Sequence, residues 1–313
     1  MKTYGFGVDI GGTTVKLGLF RTDGELLDKW EIPTRKENDG SQILPDVAAS
    51  IKEKIAEKAI AADDVQGIGV GVPGPVTPEG IVRKCVNLGW GVFNVEDALS
   101  ELTGYPVKAG NDANVAALGE LWQGAGKGAK NIVMVTLGTG IGGGVIIDGH
   151  IVAGATGAGG EIGHLPVNDE ETLTCGCGKK GCLEQYASAT GVVTLTKRAL
   201  EASDQPSSLR DLSEITAKDL FDAAKAEDAL ALEVLEQFGS ILGKGLATIA
   251  CVVNPEMFVI GGGVSKAGTI ITDVVEKYYT PNTFHACREA QFKLAELGND
   301  AGIYGTARMV IGE

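Results

Sequence analysis

Short apolar runs broken by glycine dominate the first third of the chain. Tyr4–Ile10 and Thr14–Phe20 predict two strands about a "GGT" turn, and "TDGE" turns the chain again before a third strand over Leu27–Ile32. From Ser41 to Ala59 the spacing becomes helical, with Leu44, Val47, Ile51 and Ile55 on one stripe. Pro45 falls in the first turn of that helix, where a missing N–H is tolerated. "GIGVGVPGP" then predicts an apolar strand that ends in a Gly/Pro loop. A helix over Asn94–Leu102, extended chain over Val107–Ala109 and a helix over Ala113–Gln123 follow.

The order then starts again. "IVMVTLG" is a strand, "GTGIGGG" a glycine turn, "GVIID" a strand and "DG" a turn. Set side by side, "VDIGGTTVKLGLFRTDG" and "VTLGTGIGGGVIIDG" share strand, glycine loop, strand and Asp-Gly. The later half closes in helices, with Ala229–Val253 the longest, then a strand in "MFVIGGG" and a helix from about Ser265. Two βββαβα-like halves form an internal structural repeat. No polar linker separates them, so a boundary with hinge motion is expected near Asp112.

With 313 residues the chain can build two domains around their own cores. Its 46 glycines sit in short bursts beside apolar runs, which predicts backbone that approaches ligands closely. The formal charge of −14 argues against a nucleic-acid or anionic-membrane surface, either of which needs a basic stripe. It leaves room for a phosphorylated ligand, because backbone N–H groups and Mg²⁺ supply local positive field. The first residues lack a cationic segment followed by an apolar stretch and cleavage site, and nowhere do eighteen apolar residues run together. A cytoplasmic enzyme is the expectation, and there the cysteines are free, metal-bound or catalytic rather than disulfide-linked.

Two stretches, "GTGIGG" at Gly138–Gly143 and "GVGVPG" at Gly69–Gly74, satisfy G-x-G-x-x-G. A dinucleotide fingerprint needs a strand before and a helix after. Here the first is followed by another extended run and the second by a proline loop, so the context is wrong; no P-loop motif is present either. What remains is a pair of β-hairpins with glycine tips, each able to aim N–H groups at phosphates. Asp9 is the acidic residue beside the first tip. It would repel a triphosphate unless Mg²⁺ or its waters lay between them. For one loop alone, a glycine turn with a capping aspartate explains as much.

Asp112, in "AGNDANV", follows a short strand and opens a helix. The residues allow two readings, an N-cap or a general base, because Asn-Asp before a helix is a capping signature. Glu161 and Glu184 flank a cysteine cluster, and a carboxylate can accept hydrogen bonds from two adjacent hydroxyls in bidentate fashion. Glu184 alone also suits an ordinary helix start. The cluster, His164-x10-Cys175-x-Cys177-x4-Cys182, offers the four ligands of a closed Cys₃His zinc site. A Cys175–Cys177 disulfide would close a strained ring. Gly176, Gly178 and Gly181 allow the tight turns that such a knuckle (164–182) requires. With four protein ligands the Zn²⁺ would be structural, and the second nitrogen of His164 would be left free to hydrogen-bond.

Together "DIGGT", "GNDANVAALGE", "LGTGIGGG", "GEIGH", "CGCGKKGCLE" and "VIGGGVS" resemble the ROK family of sugar kinases, in order and over about residues 8–306. "VNLGW" (Val86–Trp90) and "LGNDAGIYGTA" are most similar to the bacterial ATP-dependent glucokinases of that family. The resemblance implies an α/β, actin-like (ribonuclease H-like) ATPase fold of two domains with a deep interdomain cleft. These would be a small domain over 1–112 and a larger one over 113–298, with the terminal helix of about 299–313 packed back on the first. It implies ATP phosphate contacts at Asp9, Gly11, Gly12 and Thr13 and at Gly138, Thr139 and Gly140 within Gly138–Gly143, with adenosine near Gly262 and Gly263. It makes Asp112 the base for the glucose O6 proton, with Asn111, Glu161, His164, Glu184 and Asn87 holding the sugar. It further implies Mg²⁺ with ATP, Zn²⁺ in the knuckle and a homodimer. Other hexoses (mannose, fructose or N-acetylmannosamine) and polyphosphate as donor stay open, because pocket differences worth a few kcal/mol decide them. The family's sugar-responsive repressors carry a helix-turn-helix domain before the first phosphate loop, for which a loop starting at Asp9 leaves no room. An actin-like structural or chaperone ATPase would need neither the sugar carboxylates nor the knuckle.

Overall fold

A computed structural model describes residues 2–311. The first sheet has the order β3-β2-β1-β4-β7, with β1 Tyr4–Ile10, β2 Thr14–Arg21, β3 Leu26–Pro33, β4 Val65–Val72 and β7 Val107–Asn111. Its first three strands are an antiparallel meander, and β4 and β7 add to β1 in parallel. Between them lies a two-stranded ribbon, β5 Ile81–Val82 with β6 Phe93–Asn94.

The strands alternate, and the two faces of this sheet differ in kind. Phe6, Val8, Ile10, Val15, Leu17 and Leu19 point to one face and form a core with Ile43, Val47 and Ile51 of helix Ile43–Glu57 and Leu99 of helix Val95–Thr103. The opposite face is rich in glycine. A Cβ on Gly7 would stand 2.1 Å from the Ile303 carbonyl oxygen, and one on Gly69 1.8 Å from that of Thr306. The C-terminal helix Ala301–Ile311 therefore lies directly on the backbone of β1 and β4. Much of the glycine excess serves this close packing of helix on sheet, not only the approach of ligands expected from composition.

The second sheet repeats the order, β10-β9-β8-β11-β12, with β8 Ile132–Leu137, β9 Ile141–Ile147, β10 His150–Ile151, β11 Met257–Gly261 and β12 Gln291–Leu294. As in the first, a hairpin arm stands on one side of the leading strand, and parallel strands stand on the other. Helix Ala229–Val253 runs over the predicted residues, and Thr269–Tyr279 follows a 3₁₀ turn at Val264–Ala267. Helices Ala189–Ala202 and Ala217–Lys225 were not among the predicted elements.

By contacts the described chain forms two compact units. One runs to Gly128 and adds Gly144–Gly160 and the segment from Leu297; the other is Ala129–Gly143 with Glu161–Glu296. Helix Asp112–Gln123 groups with the first unit, so the division falls after it and not at Asp112. The reason is steric: a Cβ on Gly119 would meet the Ala301 carbonyl at 2.2 Å, and one on Gly305 the Val115 carbonyl at 1.6 Å. The two helices thus press together backbone to backbone.

Candidate active site

In the first unit the residues singled out gather at the ends of β1 and β7. The Gly11–Thr13 turn closes with Gly11 N–H donating to the Thr14 carbonyl at 3.0 Å. It is braced from β3's end, where Thr34 Oγ1 donates to the Gly11 carbonyl at 2.7 Å and Thr34 N to that of Thr13 at 2.9 Å. Beyond Gly12 there is open space, since a Cβ there would meet nothing within 4 Å. Asp9 is half-buried, and its carboxylate lies against Gly302 of the terminal helix. Burial above all, then the charge of Asp112, pushes the Asp9 carboxyl up to about 6, and Lys16 pulls the other way. The two carboxylates thus feel each other, and a dication bound beside Asp9 would relieve both effects.

The two readings of Asp112 separate here. The N-cap is Asn111, whose Oδ1 accepts from Ala113 N at 3.0 Å and Asn114 N at 3.2 Å, while its Nδ2 donates to the Gly74 carbonyl. Asp112 is the first helical residue, with Oδ1 2.8 Å from Ala113 N. Asn111 is therefore engaged as cap and loop clamp, and the cap is one of the two roles that the residues alone allow for its neighbour Asp112. Asn87 is exposed on the 3₁₀ turn Val86–Leu88; buried Cys85, just before it, feels the Asp112 charge and donates to the Pro73 carbonyl.

In the second unit the predicted residues form one continuous patch centred on Glu184. Its Oε2 lies 3.4 Å from Ile141 N, and a Cβ on Gly140 would stand 2.6 Å from the same oxygen. Its Oε1 accepts from the Cys175 thiol at 2.9 Å and lies 3.6 Å from His164 Nδ1. On the far side of the ring, His164 Nε2 is 3.9 Å from exposed Glu161. The glycine tip is closed by Gly138 N donating to the Gly140 carbonyl and is tied to the next helix by Ala189 N on Gly138 O; Thr139 is exposed. Gly262, at φ +84°, rests on the Leu137 backbone, and Gly263 beside it is exposed.

His164, Cys175, Cys177 and Cys182 converge, with all ligand atoms within 4.8 Å of one another. Cys177 and Cys182 sulfurs are 3.6 Å apart, and Cys175 Sγ is 3.6 Å from His164 Nδ1. A tetrahedral zinc with Zn–S bonds of about 2.3 Å needs sulfurs about 3.8 Å apart, so the donor set fits. Burial pushes the Cys175 thiol up to about 12, so at neutral pH a metal is what would deprotonate it. Of the three glycines, Gly178 and Gly181 adopt positive φ, and a Cβ on Gly181 would meet the Asn168 carbonyl at 1.8 Å; Gly176 needs neither allowance.

No sequence pattern points to what holds this knuckle. Glu171 is buried and gripped by Arg198 Nη1 and Nη2, both at 3.0 Å, by the Tyr186 hydroxyl at 2.6 Å and by the backbone N–H groups of Thr172 and Leu173. The Arg198 guanidinium first of all holds its carboxyl down to about 2. A charge pattern could not have paired residues 27 apart. Cys85 and Cys287 are buried and Cys251 is exposed, outside both groups.

The description "ROK family" matches residues 5–313. A glucokinase of Halalkalibacterium halodurans is 43% identical over 97% of this chain and 94% of its own. One of Thermotoga maritima is 37% identical over 97% and 96%. Among solved structures, a ROK family glucokinase from Streptomyces griseus, in complex with glucose and AMPPNP, superposes with a TM-score of 0.75 at 32% identity, covering 98% of this chain and 99% of that one.

Proposed function

This chain belongs to the ROK family, and we propose that it is an ATP-dependent glucokinase of the actin-like ATPase fold, making glucose 6-phosphate. The observation that carries the reading is the match to glucokinases over nearly the whole chain, and the two glycine hairpins with Asp112, Glu161 and Glu184 support it. No described helix is long and apolar enough to cross a membrane.

From the first unit, Asp112 accepts the O6 proton as that oxygen bonds to the γ-phosphorus and the bond from that phosphorus to the β,γ-bridging oxygen breaks, releasing ADP. Asn111 fixes the helix that carries it. The turn at Gly11–Thr13 offers its backbone to phosphate, and Asp9 holds Mg²⁺ directly or through water. A Mg²⁺ held there would supply positive charge to offset that of the phosphates. From the second unit, Glu161, His164 Nε2 and Glu184 accept or donate hydrogen bonds to sugar hydroxyls, and Asn87 adds a contact from the 3₁₀ turn. Gly138–Gly140 receive phosphates, and Gly262 and Gly263 receive the adenosine.

His164, Cys175, Cys177 and Cys182 would hold a structural Zn²⁺ that supplies no open coordination position. With Nδ1 turned to the thiols, His164 presents Nε2 on the Glu161 side, which supports the sugar role. The working form is a cytoplasmic homodimer. A coupled assay with a panel of hexoses, against ATP and polyphosphate, tests the whole reading. Glucose with ATP should give the highest kcat/KM; a preference for N-acetylated or 2-epimeric sugars would replace glucose by another hexose.

A further inference from the structure

The chain first enters the second unit after Gly128 and leaves it for the last time before Leu297. On the first unit's side both joints are tied to Glu120, a wholly buried residue in the last turn of helix Asp112–Gln123. Its Oε2 accepts from Ala125 N at 2.9 Å and its Oε1 from Leu297 N at 2.8 Å. Its backbone carbonyl accepts from Gly124 N at 3.1 Å and Gly126 N at 2.9 Å, so three successive N–H groups end on this residue. Residue 124 has no room for a side chain, because a Cβ there would stand 2.0 Å from Glu120 Oε2. Just beyond, Lys127 and Gly128 are exposed, and Gly128 has φ +94° with open space where a Cβ would lie. A fixed tether thus gives way to a free joint where the chain enters the second unit.

The other two passages rest on the same helix. A Cβ on Gly144 would meet the Ala113 carbonyl at 2.8 Å and Ala117 Cβ at 2.5 Å, and Asn114 Nδ2 donates to the Gly159 carbonyl at 3.4 Å. The helix that opens with Asp112 therefore carries every passage of the described chain from one unit to the other. An acidic side chain is a poor choice for closing a helix, since the dipole at a C-terminus opposes negative charge. Its value here is its pair of acceptor oxygens. A glutamine of the same shape offers one acceptor and one donor, and a donor cannot face an N–H, so it holds one joint at most.

Resting on the kinase reading above, we infer that Glu120 is a positioning residue for phosphoryl transfer, clamping both ends of the second unit's chain to the helix that bears Asp112. In that reading the base and the sugar carboxylates come from different units, and transfer requires them in one geometry. Glu120 touches neither ligand; it acts through the two joints.

The test uses the full chain as Glu120→Gln and, with Glu120 kept, as Gly124→Ala, whose methyl group displaces the carboxylate. Kinetics with MgATP and glucose are combined with adenosine binding and amide hydrogen exchange. A misplacement of the reacting groups predicts that kcat falls by roughly ten- to a hundredfold in both variants. The dissociation constant for adenosine, assigned to Gly262 and Gly263 of the second unit alone, should stay within about twofold. Exchange should quicken over 124–128 and 296–298, while β1 and β4 keep their wild-type protection. A Gln variant with kcat near wild type overturns the inference, whether or not the joints loosen. So does a fall in kcat with both joints as protected as before. Protection lost throughout β1 and β4 would mean that Glu120 holds the fold of its own unit, and overturns it too. Each of these results leaves the kinase reading standing, whereas a wild-type protein that does not phosphorylate glucose with ATP overturns both.

Discussion

Asp112→Asn separates catalysis from folding at one atom. Asn111, not Asp112, caps the helix, through bonds of 3.0 and 3.2 Å to Ala113 and Asn114 N–H. Changing Asp112 therefore leaves the cap intact. What it removes is a carboxylate near the helix N-terminus, worth about 0.3–1 kcal/mol, partly offset because repulsion with Asp9 also goes. The thermal midpoint of both Asp112→Asn and Asp112→Ala should stay within a few degrees of the wild type. Asn111→Ala, by contrast, should cost about 1 kcal/mol for the cap alone and more for the lost Gly74 clamp. Catalysis should move the other way. Without a proton acceptor, kcat should fall roughly 10²–10⁴-fold, or about 3–5 kcal/mol of barrier. Glucose KM should change little, since an amide still accepts a hydrogen bond from O6. Stopped-time assays of glucose 6-phosphate, with calorimetric unfolding of the same samples, read both quantities. An Asn variant that phosphorylates glucose at near wild-type rate would refute the base assignment.

Metal analysis should find about one zinc per chain, and Cys177→Ser should lose both the metal and thermal stability; a fully active metal-free preparation counts against the site. Gly12→Val should raise the ATP KM with little effect on glucose, because its side chain enters open space where phosphate would lie. Gly140→Val should raise both KM values, because its Cβ displaces Glu184; an effect on ATP alone would uncouple Glu184 from the sugar. Glu171, held near 2 when folded against 4.5 otherwise, binds its proton more readily in the unfolded chain. Its stabilisation is full above about pH 4.5 and drains as pH falls towards 2. Glu171→Gln should remove about 1–3 kcal/mol at neutral pH, a figure discounted because Arg198 is partly solvated, and should flatten stability against acid. An unchanged acid-unfolding profile would refute the brace.

Local chemistry was legible. The glycine tips, the strand–turn–strand repeat, helix Ala229–Val253 and the Cys₃His spacing each lie within a few neighbouring residues, so their period and order survive without a structure. The repeat even carried over to strand order, because the same hairpin followed by parallel crossovers has few ways to pack. Other features needed distant partners. Gly7 and Gly69 look like ligand glycines until residues 301–311 are laid on them, some 230–300 positions away. Which of Asn111 and Asp112 caps the helix depends on backbone angles, not on residue type, since both are good caps. Nothing in the spacing of Glu171, Tyr186 and Arg198, or of Glu120 and Leu297, could pair them. The sequence by itself determined which groups could do chemistry and the local turns that display them. Tertiary structure decided which of those groups are already engaged, because that depends on burial and on partners brought close only by folding.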